Sequence, residues 1–340
     1  MNLQHCLINL SKLQGSELDS GYSLLGIKSL FNNKDMILNL PFTRSQFIQE
    51  LPERQKGMSI SGYQPKLSLY VKDNILQVVN NNGIYILKPS PEEYPYLAEN
   101  EHATMMVMQR LKFSIPPFGL FRFKQEDGKP EEFAFVIKRY DRIGSDAVRL
   151  HQEQLDGAME INDKYGFVDG KKNVSYETAA KYLITNIDSS LKSKRDIFQR
   201  IVFAYVLGNN DYHLRNMGII LPNDAPPSLA PIYDFVSVVP YPSAFTEYLA
   251  LPLLALEENN VGISPGLNSK YGEYIGLDFI LLAENIGISL KLAHKLIHNI
   301  INSHQLIIDT YNESHMPEEH RKLVLAYVAR RINLLKITTL

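Results

Sequence analysis

One cysteine, Cys6, and no tryptophan are the plainest shortages of this 340-residue chain. A lone thiol cannot close an intrachain disulfide, so a reducing compartment is expected. Charge of one sign is also missing: 35 Lys and Arg face 37 Asp and Glu, a formal net charge of −2. With no positive excess there is no bulk attraction for a phosphate backbone, and no direct nucleic-acid binding is expected. Long apolar runs are absent too. Even "LDFILLAENIGI" carries Asp278 and Glu284 and is too short to cross a bilayer, so no membrane contact is expected. The opening "MNLQHCLINLSKLQG" lacks the basic-then-apolar order of a secretory leader, and the expectation is a soluble, cytoplasmic protein.

What is present is ordinary globular composition, 45% hydrophobic and 21% charged, which argues against a disordered chain. The pattern changes near residue 142. Before it, short β-rich runs alternate with turn residues: "KLSLYVKD" (66–73), "ILQVVNNNGIYILKPS" (75–90), "FGLFRF" (118–123) and "EFAFVIKRYDR" (132–142). Asn80 to Gly83 has the chemistry of a hairpin turn, and one helix, 96–113, interrupts the strands. After it, amphipathic helices are expected at 175–187, 193–208, 289–302 and 317–335. The second opens on Ser193 and Asp196 in capping-box spacing and closes at Gly208. The expectation is an α+β fold of two lobes with a cleft between them: a β-rich N-lobe over 1–142 and a mainly helical C-lobe over 143–340.

Polar residues crowd one short stretch. "VLGNNDYHLRNMG" (206–218) lies between the apolar "IFQRIVFAY" and Ile219 to Leu221. Within it Asp211 and Asn216 have the Asp-x-x-x-x-Asn spacing of a protein-kinase catalytic loop, where the Asp takes a hydroxyl proton and the Asn binds magnesium. Asp and Asn also cap ordinary turns, and spacing alone is satisfied by that. Downstream, "LAPIYDFVSVVP" (229–240) places Asp234 in an apolar, strand-like run, where a carboxylate needs a cation, either magnesium or an arginine. Upstream, Lys88 ends the strand "GIYILK", and Glu99 and Glu101 follow at the start of a helix. Base, metal ligands, lysine and acid stand in kinase order. "GMSISGYQPKLSL" (57–69) lies where a phosphate-covering loop belongs, yet fails the glycine patterns of both common phosphate loops.

Taken in order, "SISGYQPKLSL", "YILKPS", "ENEHATM", "FVIKRYDR", "HQEQLDGAM", "GNNDYHLRNMG" and "PIYDFVS" resemble the HipA family of serine/threonine kinase toxins over about residues 55 to 340. The short HipT branch, which lacks a subdomain ahead of the phosphate loop, is the most similar, since about 56 residues precede Gly57. The resemblance implies a protein-kinase-like fold and roles for matching residues. Asp211 would be the catalytic base, Asn216 and Asp234 would hold Mg2+, and Lys88 would contact the phosphates of ATP. The loop Ser61, Gly62, Tyr63, Gln64, Pro65 and Lys66 would cover those phosphates. His213, Leu214, Arg215, Asn216, Tyr233 and Asp234 would complete the nucleotide pocket, and backbone groups of Lys138, Arg139 and Tyr140 would meet adenine. Ser59 and Ser61 fall where such kinases autophosphorylate.

The same resemblance implies an aminoacyl-tRNA synthetase as substrate, tryptophanyl-tRNA synthetase for the short branch, with arrest of translation and growth. It also implies two antitoxin partners, a HipB-like DNA-binding protein and a small HipS-like protein. Two other readings share the residues: a small-molecule kinase of the sugar or antibiotic type, and a pseudokinase that only binds. Intact Lys88, Asp211, Asn216 and Asp234 weigh against the second.

Overall fold

The computed structural model describes residues 3–54, 66–80, 82–144, 148–244 and 247–340. These divide into two compact units. One comprises the chain up to Met106, Ile115–Arg149 and Thr310–Pro317; the other comprises Val107–Ser114, Leu150–Asp309 and Glu318–Leu340.

The first unit is built on an antiparallel sheet of β1 (Leu67–Lys72), β2 (Ile75–Val78), β3 (Tyr85–Pro89), β4 (Phe118–Arg122) and β5 (Phe133–Lys138), in the order β2-β1-β3-β5-β4. The hairpin turn expected at Asn80 to Gly83 does not join two paired strands. The tight turn is Asp73–Asn74, both in left-handed backbone (φ 51° and 60°), the geometry that lets a two-residue turn follow strand twist. β2 therefore pairs with β1, and β3 takes the other edge of β1. In β5 Phe133 through Ile137 are all buried, so both faces of this strand are covered. Phe31 and Tyr22 meet Phe121 with ring centroids 5.8 Å apart, and Phe42, Phe47 and Phe123 form a second aromatic cluster. The helix Leu97–Arg110 begins in this unit, and Thr104 there meets the hydroxyl of Tyr311 at 3.0 Å.

The second unit is largely helical: Tyr176–Asn186, Leu191–Leu207, Gly276–Asn285, Leu290–Asn302 and Glu318–Leu335 are its long elements. Leu191–Leu207 is its spine, with Ile201 through Leu207 all buried. It starts earlier than Ser193, because Ser190 accepts a hydrogen bond from the Ser193 N–H and is the true N-cap. Asp196, freed from a capping box, pairs with Arg200 at 2.7 Å one turn on.

The spine ends at Gly208, as expected, in left-handed backbone (φ 69°). A Cβ there would lie 2.3 Å from Val239 Cγ2. Gly208→Ala should thus combine backbone strain with overpacking, costing about 2–4 kcal/mol. Chemical denaturation monitored by circular dichroism checks this; a midpoint unchanged from the wild type contradicts it.

No helix among the described residues is long and apolar enough to cross a membrane.

Candidate active site

In the second unit the chain leaves Gly208 and folds back on itself within eight residues. Asn209 is fully buried; its Oδ1 accepts from the Asp211 N–H at 3.2 Å. The Asp211 carbonyl takes two donors, the His213 N–H and the Asn216 Nδ2, each at 2.8 Å. A single-turn 3-10 helix, Leu214–Asn216, closes the loop before the strand Gly218–Leu221. Tyr212 anchors the loop from below: it stacks on Tyr176 with centroids 6.2 Å apart, and the Tyr176 hydroxyl donates to the Tyr212 carbonyl at 2.6 Å. The side chain of Asp211, by contrast, is 43% exposed. A rigid buried base thus presents one carboxylate outward.

Asn216 is held by its amide nitrogen, which places Oδ1 on the opposite side of the planar amide as an acceptor. His213 is buried, and burial holds its ring below the usual imidazole range; the 3.6 Å approach to Asp211 is therefore not an ion pair near neutral pH. Leu214 is fully buried. Arg215 turns away to Asp156, Nε to Oδ2 2.7 Å, while its carbonyl accepts from the Tyr233 hydroxyl at 2.9 Å. That bond ties the segment carrying Asp234 to the loop carrying Asp211.

Asp234 is not on a strand. The β-ladder stops at Leu229, and Pro231 offers no N–H to extend it. Asp234 instead is half-buried in left-handed backbone (φ 51°), a conformation Asp tolerates better than most residues.

In the first unit Lys88 reaches from β3 to the helix Leu97–Arg110, where Nζ lies 2.8 Å from Glu101 Oε1 with both groups buried. Its ammonium is also 5.7 Å from the Phe135 ring centroid, its cross-strand neighbour. Of the two acids expected near it, Glu101 is thus the partner. Glu99 is buried apart, and desolvation raises its carboxyl to about 7. A folded-state value above the usual carboxylate range means that stability falls as pH rises from about 4.5 to 7 and stays low above. Glu99→Gln should therefore stabilise the protein at pH 8 by up to about 3 kcal/mol, with the gain fading below pH 5. Urea titrations at the two pH values check this; an equal effect at both contradicts it.

Other expected contacts fall differently. The N–H groups of Lys138 and Arg139 are already donated, to Pro117 at 2.8 Å and Ile84 at 2.7 Å, so adenine would have to use other backbone groups of this segment. Lys66 is half-buried just before β1. Ser59, Ser61, Gly62, Tyr63, Gln64 and Pro65 lie outside the described residues. Sequence reasoning missed Lys164 and Tyr165, which approach Asp211: the Tyr165 hydroxyl is 3.0 Å and Lys164 Nζ 3.6 Å from its Oδ1. The separation of 46 positions between Tyr165 and Asp211 leaves no spacing signal to find them by.

The donor set fits Mg2+. Amide and carboxylate oxygens are hard ligands, and magnesium is commonly held by one or two protein groups with substrate phosphates completing its shell. Among the described residues no group of three or more His, Cys, Asp or Glu is placed to bind a metal by itself.

These residues lie on a protein-kinase-like α+β fold, and solved structures agree on that fold. One chain of the Shewanella oneidensis MR-1 toxin–antitoxin complex of HipA, HipB and operator DNA matches with a TM-score of 0.65 at 18% identity, over 89% of this chain and 74% of that one. The Helicobacter pylori proinflammatory kinase CtkA matches with a TM-score of 0.50 at 14% identity, over 83% and 92%. The chain belongs to the HipA-like family, whose HipA-like C-terminal domain matches residues 58–306. A Haemophilus influenzae protein named "Putative kinase" is 50% identical over 339 residues, 98% of each chain. The same name is carried by Y4mE of Sinorhizobium fredii, 26% identical over 76% of this chain and 59% of that one.

Proposed function

We propose that this protein is an ATP-dependent serine/threonine protein kinase and the toxin of a toxin–antitoxin system, closest in kind to the short HipT branch. The observation that carries the kinase reading is the Asn216 amide bound to the Asp211 carbonyl at 2.8 Å, beside an exposed Asp211 carboxylate. This is what an in-line transfer needs: a proton acceptor and a metal-facing oxygen fixed relative to each other. Bound ATP with Mg2+ would supply the phosphoryl group and neutralise its charge, with Asn216 and Asp234 as ligands and Lys88, held by Glu101, at the phosphates. Asp211 would take the hydroxyl proton of the acceptor serine or threonine as the new O–P bond forms and the bond to ADP breaks.

The acceptor we propose is an aminoacyl-tRNA synthetase, with tryptophanyl-tRNA synthetase first, and the proposed partners are a HipB-like DNA-binding antitoxin and a small HipS-like antitoxin. HipB stands beside HipA in the related Shewanella complex. The decisive experiment is phosphoproteomics of cells after brief induction of the wild type and of Asp211→Ala. A synthetase phosphosite present only with the wild type is expected. Phosphate on free metabolites alone would favour a small-molecule kinase, and no new phosphate with intact ATP binding would favour a pseudokinase.

In active protein, phosphate is also expected on Ser59, Ser61 or both, and none in Asp211→Ala. Added charge beside an ATP-phosphate site should weaken nucleotide binding. Mass spectrometry of purified protein checks it; unmodified serines in protein that phosphorylates its target remove this regulation and leave the kinase reading intact.

A further inference from the structure

The turn 161–166 carries two side chains onto the proposed base. Asp163 Oδ1 accepts from the N–H groups of Tyr165 at 2.8 Å and Phe167 at 3.2 Å, which holds the turn in shape. The Leu214 N–H donates to the Lys164 carbonyl at 3.0 Å, so the turn is fastened by main chain to the loop that carries Asp211. From this frame the Tyr165 hydroxyl donates to Asp211 Oδ1 at 3.0 Å, and Lys164 Nζ stands 3.6 Å from the same oxygen. Lys164 also lies 4.7 Å from the Tyr165 ring centroid, and that ring meets His213 edge-on at 5.4 Å.

All three approaches to the carboxylate, from Tyr165, Lys164 and neutral His213, are made to Oδ1. Oδ2 is left without a hydrogen bond among the described residues. A carboxylate held through one oxygen keeps its rotamer and offers the other to an incoming hydroxyl. The Lys164 contact is longer than a hydrogen bond, so its role is charge rather than a fixed bond. Its side chain is 28% exposed, so it stays partly solvated beside Asp211.

We propose that Tyr165 and Lys164 are positioning residues of phosphoryl transfer: Tyr165 locks Asp211 through Oδ1 so that Oδ2 is the proton acceptor, and Lys164 draws that carboxylate into place by its charge. The proposal rests on the kinase reading above. Main chain and Asp163 tie the turn independently of the Tyr165 hydroxyl and the Lys164 ammonium.

The test uses full-length protein, magnesium and [γ-32P]ATP, with heat-treated host extract as acceptor. Tyr165→Phe should lower kcat about tenfold and Lys164→Met about thirtyfold, with Lys164→Arg restoring it to within about threefold of wild type. Calorimetric affinity for ATP with magnesium should change less than twofold, as should KM. Without nucleotide, the 13C carboxyl resonance of Asp211 should move in Tyr165→Phe, which reads the bond independently of activity. If Asp211→Ala is inactive while Lys164→Met and Tyr165→Phe transfer at the wild-type rate, the kinase reading stands and the positioning roles fall. A loss of nucleotide affinity equal to the loss of kcat overturns them as well. A wild type that binds ATP and transfers nothing overturns both.

Discussion

Asp211→Ala should lower phosphoryl transfer by about a thousandfold or more and abolish growth arrest on induction, while the fold survives. The size follows from the position. Asp211 is the exposed carboxylate of the loop, its carbonyl held by His213 and Asn216. Removing the side chain strips the proposed proton acceptor but leaves Asn209, Tyr176 and Tyr212 holding the backbone. An exposed side chain contributes little to stability, so the melting temperature should stay within a few degrees of wild type. Transfer measured with [γ-32P]ATP and melting by circular dichroism together check it. A soluble variant that still arrests growth rules out Asp211 as the base.

Glu101→Ala should unsettle the protein far more than it alters any surface. It removes the buried carboxylate that lies 2.8 Å from the buried Lys88 ammonium. Breaking a buried pair from one side costs about 3–5 kcal/mol, because the remaining charge has lost its compensation. Replacing both partners, Lys88→Met with Glu101→Leu, removes the charge with its partner. Stability should then return to within about 1 kcal/mol of wild type or exceed it, since apolar replacement of such pairs is often neutral or favourable. Phosphoryl transfer should stay lost in the double variant, because the lysine that would meet the ATP phosphates is gone. Denaturant midpoints and transfer rates measured side by side separate the two effects. A double variant as unstable as Glu101→Ala would show that packing rather than charge holds this corner of the first unit.

How much was legible in advance differs by residue. Gly208 as a helix stop was readable because a left-handed terminus favours glycine for local steric reasons. The order of Lys88, Glu101, Asp211, Asn216 and Asp234, on which the proposed kinase roles rest, was readable because it is an order of residue types along the chain. Which acid meets Lys88 was not. Glu99 and Glu101 are two residues apart on one helix, and only the packing of that helix on β3 turns Glu101 to the lysine and leaves Glu99 buried away from it. The hairpin at Asn80 to Gly83 misled for a related reason. Turn chemistry shows where a chain can reverse, while strand pairing is settled by which edge of β1 remains open once β2 has taken the other.

The sequence by itself determined the α+β class, the stop of the spine helix at Gly208, and the crowding of polar residues at 206–218, because each depends on residues near one another in the chain. Only the tertiary structure decided that Tyr165 and Lys164 meet Asp211, that Arg215 spends its charge on Asp156, and that Asp234 stands in left-handed backbone off any strand. Those contacts join residues tens of positions apart, and their geometry comes from the folded path of the chain between them, which no local spacing encodes.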